Sequence, residues 1–422
     1  MSDMVPQGWE VKKIGESKVV VLDGDRGSEY PKERDFSQNG YCLFLSAKNV
    51  TQNGFVFSDC SFISREKDEK LRKGRLDKFD IVITTRGTVG NIAFFDDSVS
   101  YEKIRINSGM AILRNEEKSI SHIFLYHLLN SILIKNQIDF FTFGSAQPQL
   151  TIGTLNSIYL RIPPLAEQKK IASILTSVDQ VIEKTESEIS KLQDLKKGMM
   201  QQLLTQGIGH TQFKDSPVGR IPVGWEVKTL QNIIKKIIDN RGKTPPLSDT
   251  GYELLEVASI TDNSRFPDFS TVRKFVDRNT YETWFRNGHP LIGDILVPTV
   301  GSIGQFAITR ENRGCIAQNL VALRVNKFTD STYTYYLLNG DVVESRISSI
   351  LMGAVQPSLR VPHFMGISIP IPSLVEQQKI ADILTSIDDS IQQQQRELQQ
   401  TQNLKKSLMQ DLLTGKVRVK VG

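Results

Sequence analysis

Nucleophilic, acid–base and metal chemistry each need particular side chains at particular spacings, and none of those spacings occurs here. No GxxxxGK[ST] phosphate loop, HExxH or GxSxG is present. The three cysteines (Cys42, Cys60, Cys315) show no CxxC spacing, and the five histidines are scattered. That pattern argues against a zinc site or a disulfide framework and for a reducing cytosol. Two glycine-framed segments, Gly87–Gly90 and Gly301–Gly304, could cradle a phosphate through backbone amides; a tight turn is the plainer reading.

What the polar residues do show is correspondence at a distance. Asp80 answers Asp294, Arg26 answers Arg241, and Gln147 answers Gln356. Glu167 answers Glu376, and Lys196–Lys197 answer Lys405–Lys406. Asp80 and Asp294 stand at apparent strand starts, which suits turn formers better than catalytic bases. A duplicated enzyme would repeat an acid, base or nucleophile, whereas the histidines have no partner in the other half.

The correspondence is a duplication. EQKKIASILTSVD (Glu167–Asp179) and EQQKIADILTSID (Glu376–Asp388) agree at ten of thirteen positions, at an offset of 209. GSAQPQL matches GAVQPSL, FLYHLLN matches YTYYLLN, and LKKGMMQQLLT matches LKKSLMQDLLT. Nearer each start, VPQGWEVK matches IPVGWEVK, and FDIVITTRGTVGNIAF resembles GDILVPTVGSIGQFAI. There the offset drifts by a few residues, as loop insertions within a shared fold would make it. The period is far too long for a solenoid repeat, so the duplicated unit has domain size. Residues 28–78 and 243–292 share little, which suggests one scaffold carrying two different loop sets.

At 422 residues the chain has room for two or three domains. It is 39% hydrophobic and 23% charged, ordinary for a soluble globular protein. The N-terminal residues lack a signal-peptide pattern, and no apolar run is long enough to span a bilayer. A net charge of +5 permits nucleic acid as a partner without requiring it.

The elements that must carry these residues are mixed α/β. DIVIT (80–84) and MAIL (110–113) read as strands, and 120–136 reads as one helix. After Pro163–Pro164, apolar residues recur at steps of three and four from Leu165 to Gln206, predicting a helix about 60 Å long. A second such helix follows from Leu374. Both have apolar ends and a polar middle, EKTESE in one and a glutamine-rich stretch in the other. Antiparallel pairing would set middle against middle, place a domain at each end of a rod, and return the tail towards the first GWE segment. The predicted organisation is a domain over 1–164, a helix over 165–206, a linker over 207–220, a second domain over 221–373, a helix over 374–415 and a tail over 416–422.

The GWE openings, the TRGTVG and TVGSIG turns, the QP[QS]L segments, and above all IPPLAEQKKIASILTSVD with IPSLVEQQKIADILTSID resemble the specificity subunit of type I restriction–modification enzymes. The match runs in order, twice, over nearly the whole chain. It implies two target recognition domains, each reading half of a bipartite DNA site, spaced by an antiparallel coiled coil. It implies a non-catalytic subunit that recruits two modification subunits, which carry S-adenosylmethionine, and restriction subunits driven by ATP; no cofactor is expected on this chain. The competing readings are a coiled-coil adapter with two protein-binding heads, or a DNA methyltransferase with its own recognition domain.

Under that resemblance the DNA-contacting candidates are Arg26, Lys32 and Arg34 in one loop, and Arg241 and Lys243 in its counterpart. Arg86, Thr88, Asn91, Ser302 and Gln305 follow in the glycine turns. Arg and Lys can bridge guanine, and Asn and Gln can bridge adenine. Gln147 and Gln356 either touch DNA or hold loop backbone. Tyr30, Tyr41, Phe266 and Trp284 lie among charges but suit a core. Glu167, Gln168 and Lys170, with Glu376, Gln377 and Lys379, begin the long helices. A surface presented twice suits two copies of one partner, while Glu in a first turn also suits the helix dipole.

Overall fold

The computed structural model describes residues 5–142, 148–261, 264–351 and 358–421. The chain divides into two units: residues 1–186 with 396–422, and residues 187–395. Each unit therefore contains one mixed α/β domain and part of both long helices, Leu165–Gln206 and Leu374–Thr414.

The first domain is organised by a four-stranded antiparallel sheet in the order Val19–Asp23, Met110–Asn115, Ile81–Thr84, Ile92–Phe94. The β-branched run Ile81-Val82-Ile83 is buried on both faces, so it reads as a continuous apolar strand rather than an alternating one. A smaller sheet centres on Cys42–Leu45, antiparallel to Phe62–Ile63 and parallel to Ile104–Ile106. A two-stranded pair, Glu10–Lys13 with Tyr159–Ile162, closes the domain beside the long helix.

The second domain repeats all three sheets. Its four-stranded order is Ile234–Ile238, Leu320–Val325, Ile295–Pro298, Ala307–Ile308. Tyr252–Leu255 pairs antiparallel with Phe275–Val276 and parallel with Cys315–Ile316. Glu226–Thr229 pairs with Ser368–Ile371. The stretches that share little sequence thus each contribute two strands to a common small sheet. What differs is its packing against the following helix: Asp68 bonded to a buried Arg105 in one domain, Tyr281 packed on an apolar cluster of Leu254, Val276 and Cys315 in the other.

The single helix expected over 120–136 is two. His122–Leu129 ends at Asn130, Ser131 Oγ bonds back to the Leu128 carbonyl at 2.6 Å, and Ile132–Thr142 starts a new helix. Short side-chain acceptors and donors compete with the helical backbone in this way.

Within each unit the start of one long helix lies beside the end of the other, so the helices run antiparallel. In the first unit Lys405 Nζ meets Asp179 at 2.5 Å; in the second Lys196 Nζ meets Asp388 at 2.6 Å. The apolar helix ends complete the domain cores. Ile171, Leu175, Leu412 and Leu413 join Trp9 and Phe124, and Ile380, Leu384, Leu203 and Leu204 join Trp225 and Tyr333. Tyr30 and Tyr41 pack against one core cluster, Trp284 and Phe266 against others, as their aromatic surface favours.

Each long helix stops at a glycine in the left-handed region, Gly207 (φ +67°) and Gly415 (φ +76°). A Cβ on Gly207 would stand 2.7 Å from the Trp225 ring, and one on Gly415 would stand 2.3 Å from Pro6 Cγ. Gly207→Ala and Gly415→Ala combine backbone strain with a clash, and each is expected to destabilise its own unit by about 1–3 kcal/mol. Hydrogen exchange resolved by unit checks this: an unchanged protection pattern for either variant would contradict it.

Candidate nucleic-acid interface

An antiparallel sheet delivers alternate strand ends to the same edge, and this edge gathers the candidate loops. In the first domain the end of Val19–Asp23, the start of Met110–Asn115, the end of Ile81–Thr84 and the start of Ile92–Phe94 share one side. Thr85 and Arg86 donate their amides to the Gly109 carbonyl at 2.8 and 3.2 Å, and Leu150 donates to the Thr85 carbonyl at 3.0 Å. Arg26 Nη2 donates to Asp23 Oδ1 at 3.2 Å and to the Ser108 carbonyl at 3.3 Å. Arg86 pairs across to Gln149. With the Gln149 amide oriented by its hydrogen bonds, its oxygen accepts from Arg86 Nη2 at 3.0 Å and Nε at 3.2 Å. Two exposed arginines are thus held by backbone and side-chain acceptors in one loop cluster.

The second domain builds the same edge with other residues. Thr299 donates to the Asn319 carbonyl and Leu359 to the Thr299 carbonyl, both at 2.8 Å. Arg241 grips Asp239 with Nε at 2.8 Å and Nη2 at 2.6 Å, which holds that carboxyl below its usual range. Gln318 Nε2 donates to Thr244 Oγ1 at 2.6 Å. Lys243 and Ser302 are exposed alongside. The glycine segments 87–90 and 301–304 are tight turns with positive φ at each framing glycine.

Not every candidate lies in the cluster. Asn91 is spent on architecture: its Nδ2 donates to the Val50 carbonyl at 2.9 Å, and its backbone closes on Thr84. Gln305 is half-buried and lines a cleft of about 290 Å³ with Arg265, Tyr336 and Lys196. Lys32 and Arg34 flank an exposed turn held by a Lys32 amide to Asp35 bond of 2.8 Å. Thr88 is exposed in its turn. Gln147 and Gln356 lie outside the described residues.

The matched acidic and amide residues at the helix starts turn inwards, which corrects their reading as a partner-facing surface. Gln168 is fully buried, accepting from the Ser121 amide and donating to the Ser119 and Pro163 carbonyls, each at 2.8 Å. Gln377 repeats this with the Asp330 amide and the Pro372 carbonyl. Glu167 accepts from Trp9 Nε1 at 3.4 Å and from Arg418 Nε at 2.9 Å, so the tail does return to the GWE segment. Glu376 accepts from Trp225 Nε1 at 3.1 Å and lies 2.8 Å from His210 Nε2. Lys170 and Lys379 remain exposed.

Two further pairs brace the opposite edge of each four-stranded sheet, where Asp80 and Asp294 precede their strands and Arg114 and Arg324 stand near the ends of theirs. Arg114 grips Asp80 at 3.0 and 2.7 Å, and Arg324 grips Asp294 at 2.9 and 2.7 Å. Both aspartates also accept a turn amide, from Asp77 and Leu291 respectively. Asp25 and Asn240, buried next to Arg26 and Arg241, anchor their loops to Arg72 and Gly288. Each sits one residue before a matched arginine, but the Asp-to-Asn change hides the equivalence. Among the described residues no cluster of three or more His, Cys, Asp or Glu side chains could hold a metal, and no helix is long and apolar enough to cross a membrane.

The sequence pattern of the type I restriction modification DNA specificity domain matches residues 6–193 and again residues 222–402. The chain belongs to this family. Its two specificity domains coincide with the two loop-bearing halves, so the family's function, DNA specificity in type I restriction–modification, falls to the duplicated scaffold. Members are specificity subunits rather than catalytic ones. The chain is 28% identical over 442 residues to the MjaVIII type I restriction enzyme specificity subunit of Methanocaldococcus jannaschii, covering 99% of this chain and 94% of that one. It is 24% identical to the EcoBI specificity subunit of Escherichia coli, covering 88% and 85%. The fold matches the type I S subunit of M. genitalium with a TM-score of 0.61 at 15% identity, over 97% of this chain and 96% of that one.

Proposed function

We propose that each specificity domain reads one half of a bipartite double-stranded DNA site through the loop edge of its four-stranded sheet. Arg26, Arg86 and Thr88 serve the first half-site, and Arg241, Lys243 and Ser302 the second, with Lys32 and Arg34 on adjoining phosphate. The observation that carries this reading is the pair of equivalent loop edges with different side chains, Arg86–Gln149 on one and Arg241, Gln318 and Thr244 on the other. A common frame with separate reading residues suits two unlike half-sites.

The same proposal makes the chain the recruiter of two modification subunits, with S-adenosylmethionine bound on them, and of restriction subunits in the cytoplasm. The exposed lysines Lys170 and Lys379 are the matched helix-start residues left to face such partners.

The test is methylation mapping in cells that express the full chain with its modification subunits, against cells lacking the chain. A bipartite methylated motif that depends on the chain supports the reading. Arg86→Ala should then relax one position of one half by about 1–3 kcal/mol of discrimination and leave the other half intact. No motif from an active, assembled complex would favour a coiled-coil adapter.

A further inference from the structure

We infer that Gln318 is a base-reading residue of the second domain, specific for an A·T pair. This rests on the DNA-reading function proposed above and assigns one of its contacts.

Gln318 has φ +53°, one of two non-glycine residues in the left-handed region among those described. That conformation is unfavourable for a side chain bearing a Cβ, and it persists where surrounding structure holds it. Here both neighbours do so. Ala317 is buried, and the Asn319 carbonyl accepts from the Thr299 amide at 2.8 Å, tying the residue to the start of the central strand Leu320–Val325. The left-handed turn leaves the Gln318 side chain exposed at the loop edge.

Its amide is also oriented. Nε2 donates one hydrogen to Thr244 Oγ1 at 2.6 Å, while Oε1 has no bonded partner among the described residues. The second Nε2 hydrogen and the free Oε1 form the donor–acceptor pair that matches adenine N7 and N6 in the major groove. Fixing the amide beforehand removes the rotamer entropy that a free glutamine would lose on binding. In the first domain the corresponding residue is Ser108, whose carbonyl holds Arg26. The position is therefore structural in one edge and carries a long amide in the other, as a specificity difference requires.

The experiment is methylation mapping with the full chain and its modification subunits, comparing wild type, Gln318→Gly and Gln318→Glu. Glycine accepts the left-handed backbone without strain, so Gln318→Gly deletes the amide and spares the loop. Arg86→Ala in parallel marks which half belongs to the first domain. The expected result for Gln318→Gly is a roughly tenfold to hundredfold loss of discrimination at one A·T position of the second half, with the first half unchanged. Gln318→Glu should shift that position towards cytosine, because a carboxylate accepts from cytosine N4. An unchanged motif, relaxation at a G·C position, or a uniform drop in methylation with the motif intact would each overturn the assignment. Absence of any chain-dependent motif in wild type would sink the underlying DNA-reading proposal as well.

Discussion

Asp68→Ala should destabilise the first unit by about 3–5 kcal/mol. Asp68 is wholly inaccessible and Arg105 is 5% exposed. Arg105 Nε bonds the Asp68 carboxylate, Nη1 donates to the Lys73 carbonyl at 2.7 Å, and Nη2 donates to the Asp68 carbonyl at 2.7 Å. Arg75 reaches the same carboxylate from the half-exposed side. Burial, with Arg75 nearby, already lowers the pKa of Arg105. Removing the carboxylate leaves a buried guanidinium beside another cation and without its charged acceptor. The pair itself need not be strongly stabilising, because an apolar replacement of both members avoids both desolvation penalties. Asp68→Leu with Arg105→Leu should therefore recover most of the loss. In the second domain the strand position of Arg105 is held by the buried Cys315, and Tyr281 packs against its cluster. Hydrogen exchange at Cys42–Leu45 reports the local effect; equal protection in wild type and Asp68→Ala would refute it.

Lowering the pH from about 6.5 towards 4 should weaken the first unit through a buried histidine. His127 is buried against the first long helix, with Nε2 3.1 Å from Thr176 Oγ1 and Nδ1 3.8 Å from Asp179. Burial pushes its pKa from the ordinary 6.5 down to about 4, against the pull of Asp179 and with a smaller push from Lys405. Between these values the unfolded chain binds more protons than the folded one, so stability falls as pH falls. The contribution is fully present above about pH 6.5 and lost by about pH 4, amounting to roughly 3 kcal/mol. His289 in the second unit is shifted down by burial too, so the comparison must be made with a variant. His127→Tyr copies Tyr336, whose hydroxyl donates to Asp388 Oδ2 at 2.7 Å in the equivalent place. Urea midpoints at pH 7 and pH 4.5 should differ less in His127→Tyr than in wild type. An equal difference would rule out His127 as the source.

Much of the architecture was legible because its signals are local or repeated. The long helices declare themselves by apolar steps of three and four and an end at glycine, and Leu165–Gln206 and Leu374–Thr414 follow that pattern. The duplication exposes the shared scaffold, since its core strands and helix starts must meet the same packing constraints twice. Two features misled. The stretch 120–136 keeps its apolar pattern across a break at Asn130–Ser131 that only a cap bond reveals. Glu167, Gln168 and Gln377 look like surface by residue type, yet chain far away in sequence covers them and satisfies their polar atoms.

By itself the sequence determined the twofold repeat, the two long helices, the family and the stretches in which the two halves diverge. The tertiary structure decided which residues of the loops stand together. Asn107–Gly109 and Gln318–Asn319 carry little charge and no matching motif, yet they form the middle of each loop edge because they lead directly into a central strand of the sheet. Pairing in the four-stranded sheet joins segments as distant as Val19 and Asn115, and the alternation of an antiparallel sheet selects which ends share an edge. No local pattern encodes that choice; it follows from packing the whole domain.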